Sequence, residues 1–154
     1  MAAAGETEYI VLMTRALAPL LTSGPTDDPA RRGWPRAPTM AEWTALSEEA
    51  RGQVVLRLET WLASGALDFM AEGPTHLEKK FKSLDRLRRF FSGGGRRIFV
   101  AAEMGVFYPS ETAIVPDLMA VLDADPPQGE SWFVAIEGKG LDLALEIHVA
   151  GNRY

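Results

Sequence analysis

The sequence predicts an α/β domain of the α+β kind, with helices leading into a strand meander, and three observations predict it. Apolar residues recur at helical spacing behind capping signals between residues 39 and 93, and alternate with period two from residue 97 onward. The triplet Gly93-Gly94-Gly95 separates the two patterns. The third observation is a 154-residue chain with 47% hydrophobic content, enough to bury one core and too short for two.

The elements follow in order. Residues 8–22 read as an N-terminal helix, and residues 23–38, SGPTDDPARRGWPRAP, contain four prolines that block regular structure and mark a linker. The expected division is therefore a helix plus Pro-rich linker over 1–38 and a main domain over 39–154. Thr39 with Glu42 three positions on forms a capping box opening a short helix that carries Trp43 and Leu46. Ser47 caps a second helix whose core face is Val54, Val55, Leu58, Trp61 and Leu62, with Gly65 at its stop. Pro74, Thr75 and Glu78 signal a third, with a buried stripe of Leu77, Phe81, Leu84, Leu87 and Phe91. Arg97 to Val106, Ala113 to Leu122 and Leu141 to Val149 read as strands, with a short one over Trp132 to Ile136.

Composition narrows the function classes. The chain has no cysteine, which excludes disulfides, thiolate metal sites and cysteine nucleophiles. The apolar stretch near the N-terminus lacks a basic leader, is interrupted by Arg15 and Pro19, and is too short to span a bilayer. No membrane association and a cytoplasmic location are the expectations. Net charge is −5, yet residues 75–97 carry +6, leaving −11 on the remainder. Lys79, Lys80, Lys82, Arg86 and Arg89 fall mainly opposite the apolar stripe. Such a run is more often a solvated helix face than a phosphate-binding one.

Two strands hold the residues able to carry chemistry. In LDLALEIHV, Glu146 and His148 share the face opposite the aliphatic row. In AIVPDLMAVL, Asp117 is the only charged residue, so its ionised side chain requires a compensating partner, a metal or an opening to water. If these strands pair, Asp117 approaches Glu146. Two bare carboxylates at roughly 4 Å repel by about 4 kcal/mol at an effective dielectric of about 20, which a divalent cation reverses. Oxygen ligands select Mg²⁺ or Mn²⁺. On spacing alone, a metal site and a solvated strand face with an incidental histidine are equally good readings.

Pro116-Asp117 in an apolar strand, followed by Glu137-Gly138-Lys139-Gly140 and the strand Leu141 to His148, resembles a bacterial restriction endonuclease family of the PD-(D/E)XK nuclease superfamily. The resemblance covers residues 39–154, including the helix from Thr75 and the strand VAAEMGVFYPS. It implies a restriction-endonuclease-like core, with N-terminal helices followed by a mixed or antiparallel curved sheet. It also implies a metal-dependent endonuclease hydrolysing DNA phosphodiester bonds, with Asp117 and Glu146 as the ligands of Mg²⁺ or Mn²⁺. His148 stands where the superfamily's ExK pattern has lysine, and is expected to orient the attacking water.

Lys79, Lys80, Lys82, Arg86, Arg89 and Lys139 are the expected DNA contacts. Glu103 and Glu111 offer a third ligand, with exposed strand and turn positions the plainer reading. His76 occupies a position where relatives often hold histidine, and the expectation is an ordinary first-turn residue. Relatives continue past the catalytic strand into a helix and a final strand, so an open sheet edge completed by another chain, as in a homodimer, is a further expectation. The alternative function is a catalytically inactive nuclease-like module that binds nucleic acid or a protein partner.

Overall fold

Capping chemistry sets the first two helices. A computed structural model describes residues 9–14, 33–65 and 73–148, with main chain only for 9–14 and 148. Helix α1, Met40–Ala45, starts where Thr39 Oγ1 accepts from the Glu42 N–H and the Glu42 carboxylate accepts from the Thr39 N–H. Helix α2, Glu48–Ala63, starts where Ser47 accepts from the Ala50 N–H. Arg51 joins the two helices by donating to the carbonyls of Trp43 and Thr44. Just past α2, Gly65 adopts φ +73°, the left-handed conformation that glycine tolerates without a Cβ penalty. Leu58 is fully buried, and Val54, Val55, Trp61 and Leu62 pack with it against Phe107, Ala113 and Phe133, as the periodicity predicts.

Helix α3, Pro74–Gly93, leads into the strands. These are β2 (Ile98–Ala102), β3 (Gly105–Phe107), β4 (Leu118–Leu122), β5 (Ser131–Phe133) and β6 (Leu143–His148), with a short helix α4 (Val134–Glu137) after β5 and strand β1 (Tyr9–Thr14) far upstream. The main sheet runs β1-β6-β4-β2 with every pair antiparallel, and β3 pairs with β5 in a small parallel sheet.

Period two gives the main sheet two buried faces. Leu118, Leu145 and Ile147 face α3 and meet Leu84 and Leu87. Met119 and Val121 lie on the other side with Val106, Trp132 and Leu141, where Phe99 stacks on Trp132 at 5.4 Å. At Gly105 a Cβ would collide with the Leu62 side chain, so glycine lets β3 lie directly on α2.

The structure corrects five local expectations. Tyr9–Thr14, inside the expected N-terminal helix, is a strand; its sequence YIVLMT is β-branched and aromatic, and β6 satisfies its main chain over six residue pairs. That pairing also means β6 is no open edge: β1 covers one side of it and β4 the other. The strand expected over Arg97 to Val106 breaks at Glu103, whose φ of +52° turns the chain between β2 and β3. The short strand expected over Trp132 to Ile136 gives way to α4 after Phe133. Helix α3 starts with Pro74 at its first turn and no side-chain cap, so the Thr75–Glu78 pattern is not a capping box; Glu78 pairs with Lys82 instead.

Candidate functional site

The register of β4 and β6 sets the site. Leu118 faces Leu145 across the ladder, so Asp117, one residue before β4, stands level with Glu146. Asp117 closes this end of the ladder by accepting the Ile147 N–H at 2.6 Å on Oδ2. The same Oδ2 lies 3.3 Å from His76 Nε2, which is itself 2.8 Å from the Ile147 carbonyl oxygen. Lys80 Nζ lies 3.5 Å from Asp117 Oδ1 and donates to Glu103 Oε1 at 2.9 Å. Two residues of α3, one from the turn after β2 and one from the start of β4 thus meet beside the main chain of β6.

Their environments differ. The Lys80 side chain is 3% exposed, Asp117 15%, His76 17% and Glu103 52%, so the cluster opens to solvent through Glu103. Lys80 is the one buried charged residue among the described residues. An ammonium in that setting is tolerable only with anionic partners, which Asp117 and Glu103 supply. Conversely, Lys80 and His76 answer the question that the lone aspartate in an apolar strand raises: its compensation comes from helix α3. Glu103 is oriented by its own main chain, whose N–H donates to the Asp117 carbonyl oxygen at 3.3 Å.

The expected site residues are only partly brought together. Asp117 and Glu146 stand level at the same ladder end, but the Asp117 carboxylate turns to His76 and Lys80 of α3, whereas half-buried Glu146 alternates with Leu145 and Ile147, which face α3. The His148 side chain lies outside the described residues; its main chain pairs with Tyr9. Lys139 is at the opposite end of the ladder, where it donates to the Leu122 carbonyl oxygen and lies 3.5 Å from Asp142. The expectation of a phosphate contact beside Asp117 fails for it, because the turn before β6 lies at the far end of that strand. Lys80 is buried and leaves the set of exposed DNA-facing cations. Lys82, Arg86 and Arg89 are exposed on α3 as expected, with Lys82 paired to Glu78 and Arg89 to Asp85, and Lys79 is half-buried. Glu111 lies elsewhere, 3.9 Å from Arg36.

Sequence reasoning placed Lys80 among the exposed DNA contacts and His76 among ordinary first-turn residues, although a signal for their inward position was present. His76, Lys80, Leu84, Leu87 and Phe91 form one row at helical spacing, and this row faces inward while Leu77 and Phe81 are 39% and 63% exposed. Choosing core positions by hydrophobicity alone rotates the first half of α3 the wrong way.

Among the described residues, no group of three or more His, Cys, Asp or Glu side chains converges to hold a metal ion. Two surface cavities of about 500 Å³ lie away from the cluster, one beside Thr39, Glu42 and Arg57, the other beside Glu59, Gln128 and Ile136. No described helix is long and apolar enough to cross a membrane. No protein-family model, curated protein or solved structure matches the chain.

Proposed function

We propose that this chain is a divalent-metal-dependent phosphodiesterase domain acting on DNA, with Asp117 and Glu146 as its acidic residues and Mg²⁺ or Mn²⁺ as its ion. The observation that carries the reading is the placement of Asp117, level with Glu146 at the paired ends of β4 and β6 and in contact with His76 and Lys80. Asp117 and Glu146 would offer such an ion an all-oxygen donor set, while between Asp117 and Glu103 the cation is already supplied by Lys80 Nζ. Mg²⁺ is commonly held by one or two carboxylates, with water and substrate phosphate completing its shell, so two protein ligands suffice.

Hydrolysis adds water across one P–O bond: the water oxygen bonds to phosphorus, the bond to a sugar oxygen breaks, and that oxygen takes up a proton. A bound ion supplies an acidified water and neutralises charge on the phosphate. The chain's own residues do the positioning. The Ile147 N–H and His76 fix the Asp117 carboxylate, and Lys80 fixes Asp117 relative to Glu103. The exposed cations Lys82, Arg86 and Arg89 attract the DNA backbone along α3.

A specific observation favours a second reading, a nuclease-like module that binds without cleaving: Asp117 is charge-compensated by protein groups alone. Mn²⁺ titration and plasmid cleavage on the wild type, Asp117→Ala and Glu146→Ala separate the two. Metal binding and cleavage lost together in both variants support the phosphodiesterase, and DNA binding with neither metal binding nor cleavage in the wild type supports the module.

A further inference from the structure

We infer that the cavity between helix α2, the 126–131 segment and helix α4 is a second binding site, built for an organic cation on a short aliphatic stem. It lies away from Asp117 and does not rest on the phosphodiesterase reading. Its volume is about 500 Å³, within the range of roughly 300–1,000 Å³ that small-molecule pockets occupy.

The lining supplies charge, a hydroxyl and an apolar wall. Glu59 and Glu137 line the cavity half-buried, with no lysine, arginine or histidine beside them, and neither carboxylate has an ion-pair partner among the described residues. By contrast, Asp123 and Asp125, just ahead of this segment, are paired with Arg96 and Arg97. Main chain fixes Glu59: its Oε1 accepts the Glu130 N–H at 3.2 Å, and Gly129 passes so close that a Cβ there would stand 3.0 Å from the same oxygen. Carboxylates that have lost part of their water without gaining a counter-ion favour a cation. Ser131 is an independent sign of a ligand. It is 3% exposed, lines the cavity, and makes no hydrogen bond from its hydroxyl to a described residue. Its Oγ lies on the side where β3 meets α2, 3.3 Å from the point that a Cβ on Gly105 would take beside Leu62. A buried hydroxyl without a partner is costly unless something entering the cavity bonds to it. Val55, Phe133 and Ile136 form the apolar wall, and Ile136 is 52% exposed. Two carboxylates and a hydroxyl accept what a guanidinium, which carries donors only, offers.

Amide NMR titration of the full chain with butylguanidinium tests this, read at Gly129, Glu130 and Glu137. Saturable binding is expected, with a Kd on the order of 1 mM. Butylurea has nearly the same shape without the charge and is expected to bind at least about tenfold more weakly. Glu59→Gln and Glu137→Gln are each expected to weaken butylguanidinium about tenfold, and Ser131→Ala about threefold. Glutamine keeps an acceptor for the Glu130 N–H, so Glu59→Gln removes the charge and leaves the loop in place. No saturable shift with butylguanidinium, equal binding of butylurea, or an affinity that neither glutamine variant lowers overturns the inference. The comparison of the two ligands on the wild type decides even where a variant fails to fold. A capped Gly-Arg-Gly peptide identifies the source of the cation: binding tighter than that of butylguanidinium supports an arginine side chain of a protein partner, and weaker binding supports a free organic cation.

Discussion

The two ends of the β4–β6 ladder are built alike and compensated differently. At one end Asp117 accepts the Ile147 N–H at 2.6 Å, and at the other Asp142 accepts the Leu122 N–H at 2.9 Å. Each aspartate has a lysine Nζ at 3.5 Å, Lys80 for Asp117 and Lys139 for Asp142. Lys139 sits three residues from its partner in the same turn, is 30% exposed, and also caps a strand carbonyl. Lys80 comes from a different element, is 3% exposed, shares its charge with Glu103, and has His76 beside it. An aspartate closing a ladder is thus a structural device in this fold. Among the described residues the Asp117 end is the one whose lysine is buried and comes from a separate element, and this marks the candidate site.

The largest expected difference between the ends lies in stability. Asp117→Ala takes one of two carboxylates from the buried Lys80 ammonium and is expected to cost about 3 kcal/mol in urea unfolding. Asp142→Ala removes a partly buried acceptor whose lysine can turn to water, and is expected to cost about 1 kcal/mol. Equal losses at the two sites would erase the distinction.

A smaller effect separates the pairs themselves. A double-mutant cycle on Lys80 and Asp117 is expected to give a coupling energy of about 1.5 kcal/mol, against under about 0.5 kcal/mol for Lys139 and Asp142. The reverse ranking would move the charged centre to the Lys139 end.

The face of α3 over the site gives a further check. Phe81 is 63% exposed, so Phe81→Ser is expected to shift stability by less than about 0.5 kcal/mol, despite its place in the apolar stripe of the sequence. A loss of core size would restore that stripe and take Lys80 out of the interior.

The smallest effect belongs to a purely local cap. The Thr39 N–H and hydroxyl donate to Glu42, holding its carboxyl below the usual glutamate value. Because the folded value is the lower one, this contribution is complete above the unfolded value of about 4.3 and is lost as pH falls through the folded value. The stability difference between wild type and Glu42→Ala is therefore expected to shrink as pH falls from about 6 toward 3 in equilibrium unfolding. A difference independent of pH would remove Glu42 from the cap.

Legibility in the sequence followed the range of the interactions. The capping box at Thr39, the Ser47 cap, the core face of α2 and the Gly65 stop were readable, because a cap or an amphipathic face is encoded within a few residues. The approach of Asp117 to Glu146 was readable only on the condition that their strands pair, which period two and a lone charge do not decide. The strand at Tyr9–Thr14 was not, because its pairing partner β6 lies more than a hundred residues away. Nor was the inward turn of Lys80, because hydrophobicity ranks it as solvated.

By itself the sequence determined an α+β domain without cysteine chemistry, the starts of α1, α2 and α3, and two acidic residues, one beside β4 and one within β6. Only the tertiary structure decided which cations compensate Asp117. A buried charge is stable only where partners from separate elements arrive together, and the sheet register and the rotation of α3 bring Lys80, His76 and Glu103 to that point.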